Sequence, residues 1–223
     1  MDWQAFALSL RLSAWTTLAL FFVGLGIARI LAWRRFPGRS LIEAIVALPL
    51  VLPPTVLGYY LLVAFGRDTW AGQAFEALTG STLAFSFSGL LLASILYSLP
   101  FAVQPMLRSF EAIPATFREA AWCSGLGRWQ TFLRVEFPLA WPGILTGLVL
   151  TFAHTLGEFG VVLMVGGNIP GTTKTISIAI YDRVQSFDEH TAGTMALVLL
   201  VFSFLTISSV FAFNHRRNGS GDP

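Results

Sequence analysis

Apolar residues fill five long stretches of this chain, and most polar residues are gathered between them. The stretches 12–33, 43–65, 83–106, 140–165 and 191–213 each reach the roughly 20 residues that a helix needs to cross a hydrocarbon core. They predict an all-α integral membrane protein, a bundle of about five transmembrane helices in one domain, 1–217. A short polar tail, 218–223, is expected to be disordered. The first stretch does not read as a cleaved leader. It is long, and its basic pair Arg34-Arg35 follows the apolar run instead of preceding it.

The intervals between the stretches predict direction. Arg29, Arg34, Arg35, Arg39, Arg108, Arg118, Arg128, Arg134, Arg216 and Arg217 fall on one side. Only Arg11, Arg67, Lys174 and Arg183 fall on the other. The positive-inside rule then places the N-terminus outside, the segment 107–139 in the cytoplasm and the C-terminus in the cytoplasm. An odd number of spans requires termini on opposite sides, so the two readings agree. Arg29, near the end of the first span, is expected to snorkel to the headgroups.

Composition strengthens the membrane reading. The chain is 55% hydrophobic and 12% charged, with a mean hydropathy of +0.69; soluble domains carry roughly 25% charged residues. The basic pI near 9.0 does not indicate nucleic acid, because the arginines flank apolar stretches and form no exposed stripe. The lone Cys123 excludes an internal disulfide framework and a cysteine metal cluster.

Segment 107–139 carries the most specific pattern. Pro114 suits a first helical turn, Gly125 falls where a left-handed C-terminal cap would sit, and a second run, 128–137, is expected to stop at Pro138. Apolar Phe117, Ala120, Ala121 and Trp122 recur at helical spacing, which fits either an interfacial helix on the headgroups or a helix docked on a partner. A resemblance then favours docking. Glu119-Ala120-Ala121, three residues, Gly125, nine residues and Val135-Glu136-Phe137-Pro138 resemble the EAA signature of ABC importer permeases. Val135 and Phe137 depart from its Ile and Leu but stay apolar. The resemblance implies the type I importer permease architecture. It also implies that Glu119, Ala120, Ala121, Gly125 and Pro138 belong to a loop that couples to a separate ATPase subunit, present in two copies. The chain has no phosphate loop of its own. Its only lysine, Lys174, follows Gly171-Thr172-Thr173 with no glycine immediately before it. The chain is therefore expected not to be an enzyme.

Polar and helix-breaking groups inside the apolar stretches mark a candidate pore or gate. Pro49, Pro53 and Pro54 remove three backbone donors from the second span, which fits either a packing kink or a broken helix at the translocation path. In the fourth span Gly147, Thr151, His154, Thr155 and Glu158 share one helical face, and ionisable groups at such depth usually face a bundle interior or water. Glu158, about 24 Å along a helix from Pro142, lies toward the external half. His154 and Glu158 lack a third ligand, so no metal site is expected. The loop 166–190, with Gly166-Gly167, three threonines and Lys174, fits either an ordinary turn or an oxyanion contact.

The segments Pro49 to Tyr59, Leu156-Gly157-Glu158-Phe159-Gly160, Asn168-Ile169-Pro170-Gly171 and Thr173-Lys174-Thr175 are similar to those of molybdate permeases. Sulfate permeases share the Leu-Gly-Glu-Phe-Gly run but tend to lack Pro170. The resemblance covers nearly the whole chain. It implies a molybdate importer permease in the cytoplasmic membrane, with a sulfate, thiosulfate or tungstate permease as the alternative. It further implies an external oxyanion-binding protein, pairing with a second copy of the chain within membrane lipid, and no cofactor.

Overall fold

In the computed structural model, residues 1–218 are described, and side chains as far as Ser208. The tail expected to be disordered, from 219 onward, lies outside the described residues, as do the side chains of Arg216 and Arg217.

The polypeptide is a succession of helices: α1 Trp3–Trp33, α2 Arg39–Val51, α3 Pro54–Ala64, α4 Trp70–Thr79, α5 Phe87–Glu111, α6 Ala115–Cys123, α7 Arg128–Thr131, α8 Phe137–Gly157, α9 Gly160–Gly166, α10 Ile176–Gln185 and α11 Glu189–Asn218. A π-helical turn, Phe132–Glu136, joins α7 to α8. Four continuous helical stretches are long and apolar enough to cross a bilayer among the described residues, and there are five such spans if α2 and α3 are taken as one bent crossing.

Helices α1, α5 and α8 pack against one another as the centre of the bundle. Between them lies an apolar core that includes Leu20, Leu31, Met106, Phe110 and Ile144, extended toward the short helices by Phe132. A second cluster, around Leu61, Phe65, Tyr97, Val161 and Val165, joins α3, α5 and α9. Large apolar side chains stay exposed on the outer faces, among them Phe22, Leu92, Leu200 and Phe204. Such a surface is ordinary in lipid, which solvates leucine as well as another helix does.

Three local departures from the expected helices have clear causes. The second crossing is two helices, because Leu52 and Pro53 are extended and the path bends by 113° between α2 and α3. The fourth crossing is not continuous over 140–165, because Glu158 adopts an extended conformation between α8 and α9. Pro138 does not stop the run from 128. The helix continues through it, and the carbonyl of Arg134, against which the Pro138 ring would press, lies in the widened π turn just upstream. Helices α4 and α10 are additional elements in intervals that the apolar pattern leaves unassigned.

Candidate functional site

The segment between α5 and α8 is a compact helical hairpin. Helix α6 ends in a doubly bonded cap: the Gly125 amide donates to the Trp122 carbonyl at 2.9 Å and the Leu126 amide to the Ala121 carbonyl at 3.0 Å. Gly125 has φ +80°, the left-handed geometry that this cap requires. Ala121 packs inward, while Glu119 and Ala120 are exposed on the outer face beside Phe117 and Trp122. Gly125 and Pro138 are also exposed. The residues of the EAA-like pattern thus divide into an outward surface and an inward anchor.

The anchor holds a carboxylate that the sequence reading had no means to single out. Glu136, in the π turn, is only 1% exposed. Its Oε2 accepts from Arg29 Nε at 2.7 Å, and its Oε1 lies 3.1 Å from Arg118 Nε. Arg29 therefore turns inward from α1 instead of snorkelling, and its guanidinium also covers the Phe132 ring at 4.7 Å. Arg118 lies over the Trp33 ring at 4.1 Å. One buried carboxylate so ties the foot of α1 and helix α6 to the entry of α8. Burying such groups is costly unless each charge is paired, which is why the three side chains are held together.

A second site forms where the two broken crossings touch. Pro54, at the start of α3, lies against Gly160, at the start of α9. A Cβ on Gly160 would come within 2.7 Å of Pro54 Cβ, so only glycine permits this approach. Glu158, at the α8–α9 joint, accepts from the Val161 amide at 2.9 Å and so caps the short helix. His154 Nε2 lies 3.9 Å from Glu158 Oε2, its ring stacks on Phe101 at 4.0 Å, and its Nδ1 is 3.0 Å from Ser98 Oγ. Ser98 also reaches Thr155 Oγ1 at 3.0 Å. Thr151 is fully buried with no partner for its hydroxyl. The structure therefore brings Pro54, Glu158 and Thr155 into one neighbourhood, with Ser98 and Phe101 supplied by α5. Pro49 lies within α2, and Pro53 caps α3. No three His, Cys, Asp or Glu side chains come together as a metal would need, among the described residues.

The loop after α9 satisfies its own polar groups. Lys174 Nζ is 2.7 Å from Asp182, which also accepts from Asn168 Nδ2 at 2.9 Å. Burial alone would raise the Asp182 carboxyl, but the Lys174 and Asn168 contacts outweigh it and hold that group below its usual range. Buried Thr173 donates to the Gly166 carbonyl at 2.7 Å. The cation and this hydroxyl are committed to shaping the turn, which favours the turn over the oxyanion contact.

The family model for the binding-protein-dependent transport system inner membrane component matches residues 21–218. The molybdenum transport system permease protein ModB of Azotobacter vinelandii is 46% identical over 218 residues, spanning 98% of this chain and 96% of its own. The probable sulfate transport system permease protein cysT of Chlorella vulgaris is 32% identical, spanning 94% of this chain and 79% of its own. Among solved structures, the MetNI methionine ABC transporter in inward-facing conformations matches with a TM-score of 0.75 over 97% of this chain and 95% of that one. At 16% identity that likeness is one of fold alone.

Proposed function

We infer that this chain, which belongs to the family of binding-protein-dependent transport system inner membrane components, is the permease subunit of an ABC importer for molybdate. The observation that carries the substrate is the near full-length similarity to a molybdenum permease, which exceeds the similarity to a sulfate permease. The chain is a multi-pass inner-membrane protein and not itself the ATPase.

The geometry supports a division of labour. An external binding protein delivers the oxyanion, and two copies of a separate ATPase subunit supply the work. Helix α6 presents Glu119 and Ala120 to the ATPase subunit, with Gly125 setting the reversal behind them. The Arg29–Glu136–Arg118 cluster makes the hairpin a lever, because a push on α6 reaches α1 and α8 through charged contacts and not through a slack loop. The joint between α3 and α9 is the element that yields, since each helix there is short and already interrupted. Its polar groups are hydroxyls, an imidazole and one carboxylate, with no fixed cation at the joint among the described residues to trap a dianion; conduction requires that a bound ion can leave. Tyr59, Tyr60 and Val63 on α3 remain exposed, a face suited to a second copy of the chain across a shared path.

The reading is tested in cells lacking their own high-affinity molybdate system and supplied with this chain and its cognate partners. Molybdoenzyme activity at trace molybdate, undiminished by excess sulfate, is the expected result. Sulfate uptake unaffected by molybdate would overturn the substrate while leaving the importer intact.

A further inference from the structure

The foot of α1 carries more positive charge than the Glu136 cluster uses. A cavity of about 250 Å³ opens there, lined by Arg29, Arg34, Arg118, Arg128, Trp33 and Trp122 around the single carboxylate of Glu136. Arg29 and Arg118 are spent on Glu136. Arg34 and Arg128 are exposed and have no ion-pair partner among the described residues. The indole Nε1 of Trp33 is buried without a hydrogen-bond acceptor. On the same flank of the molecule, Glu43 and Glu111 are already engaged by Arg39. Two arginines without an ion-pair partner among the described residues, Arg34 and Arg128, thus line a space that an anion would satisfy.

The surface above the cavity is apolar and continuous with it. Trp15, Leu18, Phe22 and Ile30 stand exposed along α1, and Ile30 also lines the cavity. Between Phe22 and Ile30, Gly26 leaves open space where a Cβ would stand, which makes a notch in the stripe. From Leu18 to Ile30 the stripe runs about 18 Å, close to the depth of one leaflet in a core of about 30 Å. The combination has the shape of an amphiphile, with a cationic pocket at the headgroup level and an apolar channel rising from it.

We propose that this pocket and stripe hold an anionic phospholipid of the inner leaflet, with its phosphate between Arg34 and Arg128 and an acyl chain along α1. This assignment rests on the membrane topology proposed above, in which the pocket faces the cytoplasm. The selectivity should favour net negative headgroups. A choline headgroup presents the same phosphate but adds a cationic ammonium that the unpaired Arg34 and Arg128 repel, whereas a glycerol headgroup leaves the net negative charge intact. Because the lipid sits against Arg118 and Glu136, its headgroup would brace the hairpin that carries α6.

The test uses the purified transporter, permease together with its ATPase subunits, in detergent, with lipid retention read by native mass spectrometry. Phosphatidylglycerol is expected to be retained over phosphatidylcholine of the same chains by about tenfold or more. In the Arg34→Gln/Arg128→Gln double variant that preference should disappear. Arg134→Gln, an exposed cation outside the cavity, should keep it. The two replaced side chains make no ion pair among the described residues, so the variant should assemble normally, and the melting temperature of the lipid-free complex checks this. Equal retention of the two lipids, or a double variant that behaves as wild type, overturns the proposal. Displacement by millimolar inorganic phosphate would assign the pocket to a free oxyanion and overturn the lipid. Phosphatidylglycerol bound by the permease alone but excluded by the ATPase subunits would also overturn it, while leaving the importer reading untouched.

Discussion

Two residues carry most of the argument for the helical hairpin, and they carry it differently. Glu136 acts through charge. Replacing it with alanine leaves two guanidiniums facing each other across a buried site, a loss of about 3 kcal/mol, near the low end for such pairs because both arginines keep some solvent contact. A lowered melting temperature of the solubilised permease is the expected readout, and Glu136→Gln, which keeps the shape and one acceptor, should fall between alanine and wild type. Gly125 acts through backbone geometry. Nothing lies within 4 Å of where its Cβ would stand, so bulk alone does no harm there. At φ +80° a β-branched residue is strained by about 1–2 kcal/mol. Gly125→Val is therefore expected to lose most uptake with protein still in the membrane, whereas Gly125→Asn, which tolerates the left-handed region, should retain it. Equal uptake by the two variants would show that the cap geometry is unimportant.

Among the elements, the contact between α3 and α9 is sensitive to a single atom. Gly160→Ala places a methyl 2.7 Å from Pro54, an overpacking that costs about 1–3 kcal/mol and wedges the two short helices apart. Uptake should drop sharply, while Gly157→Ala, at a position with open space around it, should be neutral. Uptake and membrane abundance measured side by side for the two variants check this. These elements also show what could be read in advance. The long apolar runs announced α1, α5 and α11, because twenty apolar residues leave little choice of structure in a bilayer. The prolines at 53 and 54 announced the break between α2 and α3, although the helix runs on through Pro49, and the glycine at 125 announced its cap. The break at Glu158 was not legible, since the apolar stretch runs on through 140–165, and only the fold shows α9 restarting where Gly160 packs on Pro54. Nor was Glu136. A single glutamate before Phe137-Pro138 looks like any surface charge until the π turn rotates it toward Arg29 and Arg118, residues distant in sequence. Amphipathic α4 and α10 were missed because they are shorter than a crossing and too polar to stand out from their loops.

For the whole molecule, the proposed topology puts helix α6 in the cytoplasm and the first residues outside. Cys123, the sole cysteine, is exposed at the end of α6 and reports this directly. A membrane-impermeant maleimide should label it in inside-out vesicles and not in intact cells, and the ATPase subunit should protect it. In the proposed function these helices form a molybdate path driven through that hairpin by a separate ATPase. The most direct measurement is molybdate accumulation in proteoliposomes containing this permease, its ATPase subunit and its binding protein. Accumulation should require ATP, persist in excess sulfate and be abolished by Glu119→Lys although the variant permease still inserts. Accumulation that proceeds without the ATPase, or ATP-driven uptake of sulfate that molybdate does not inhibit, would contradict it.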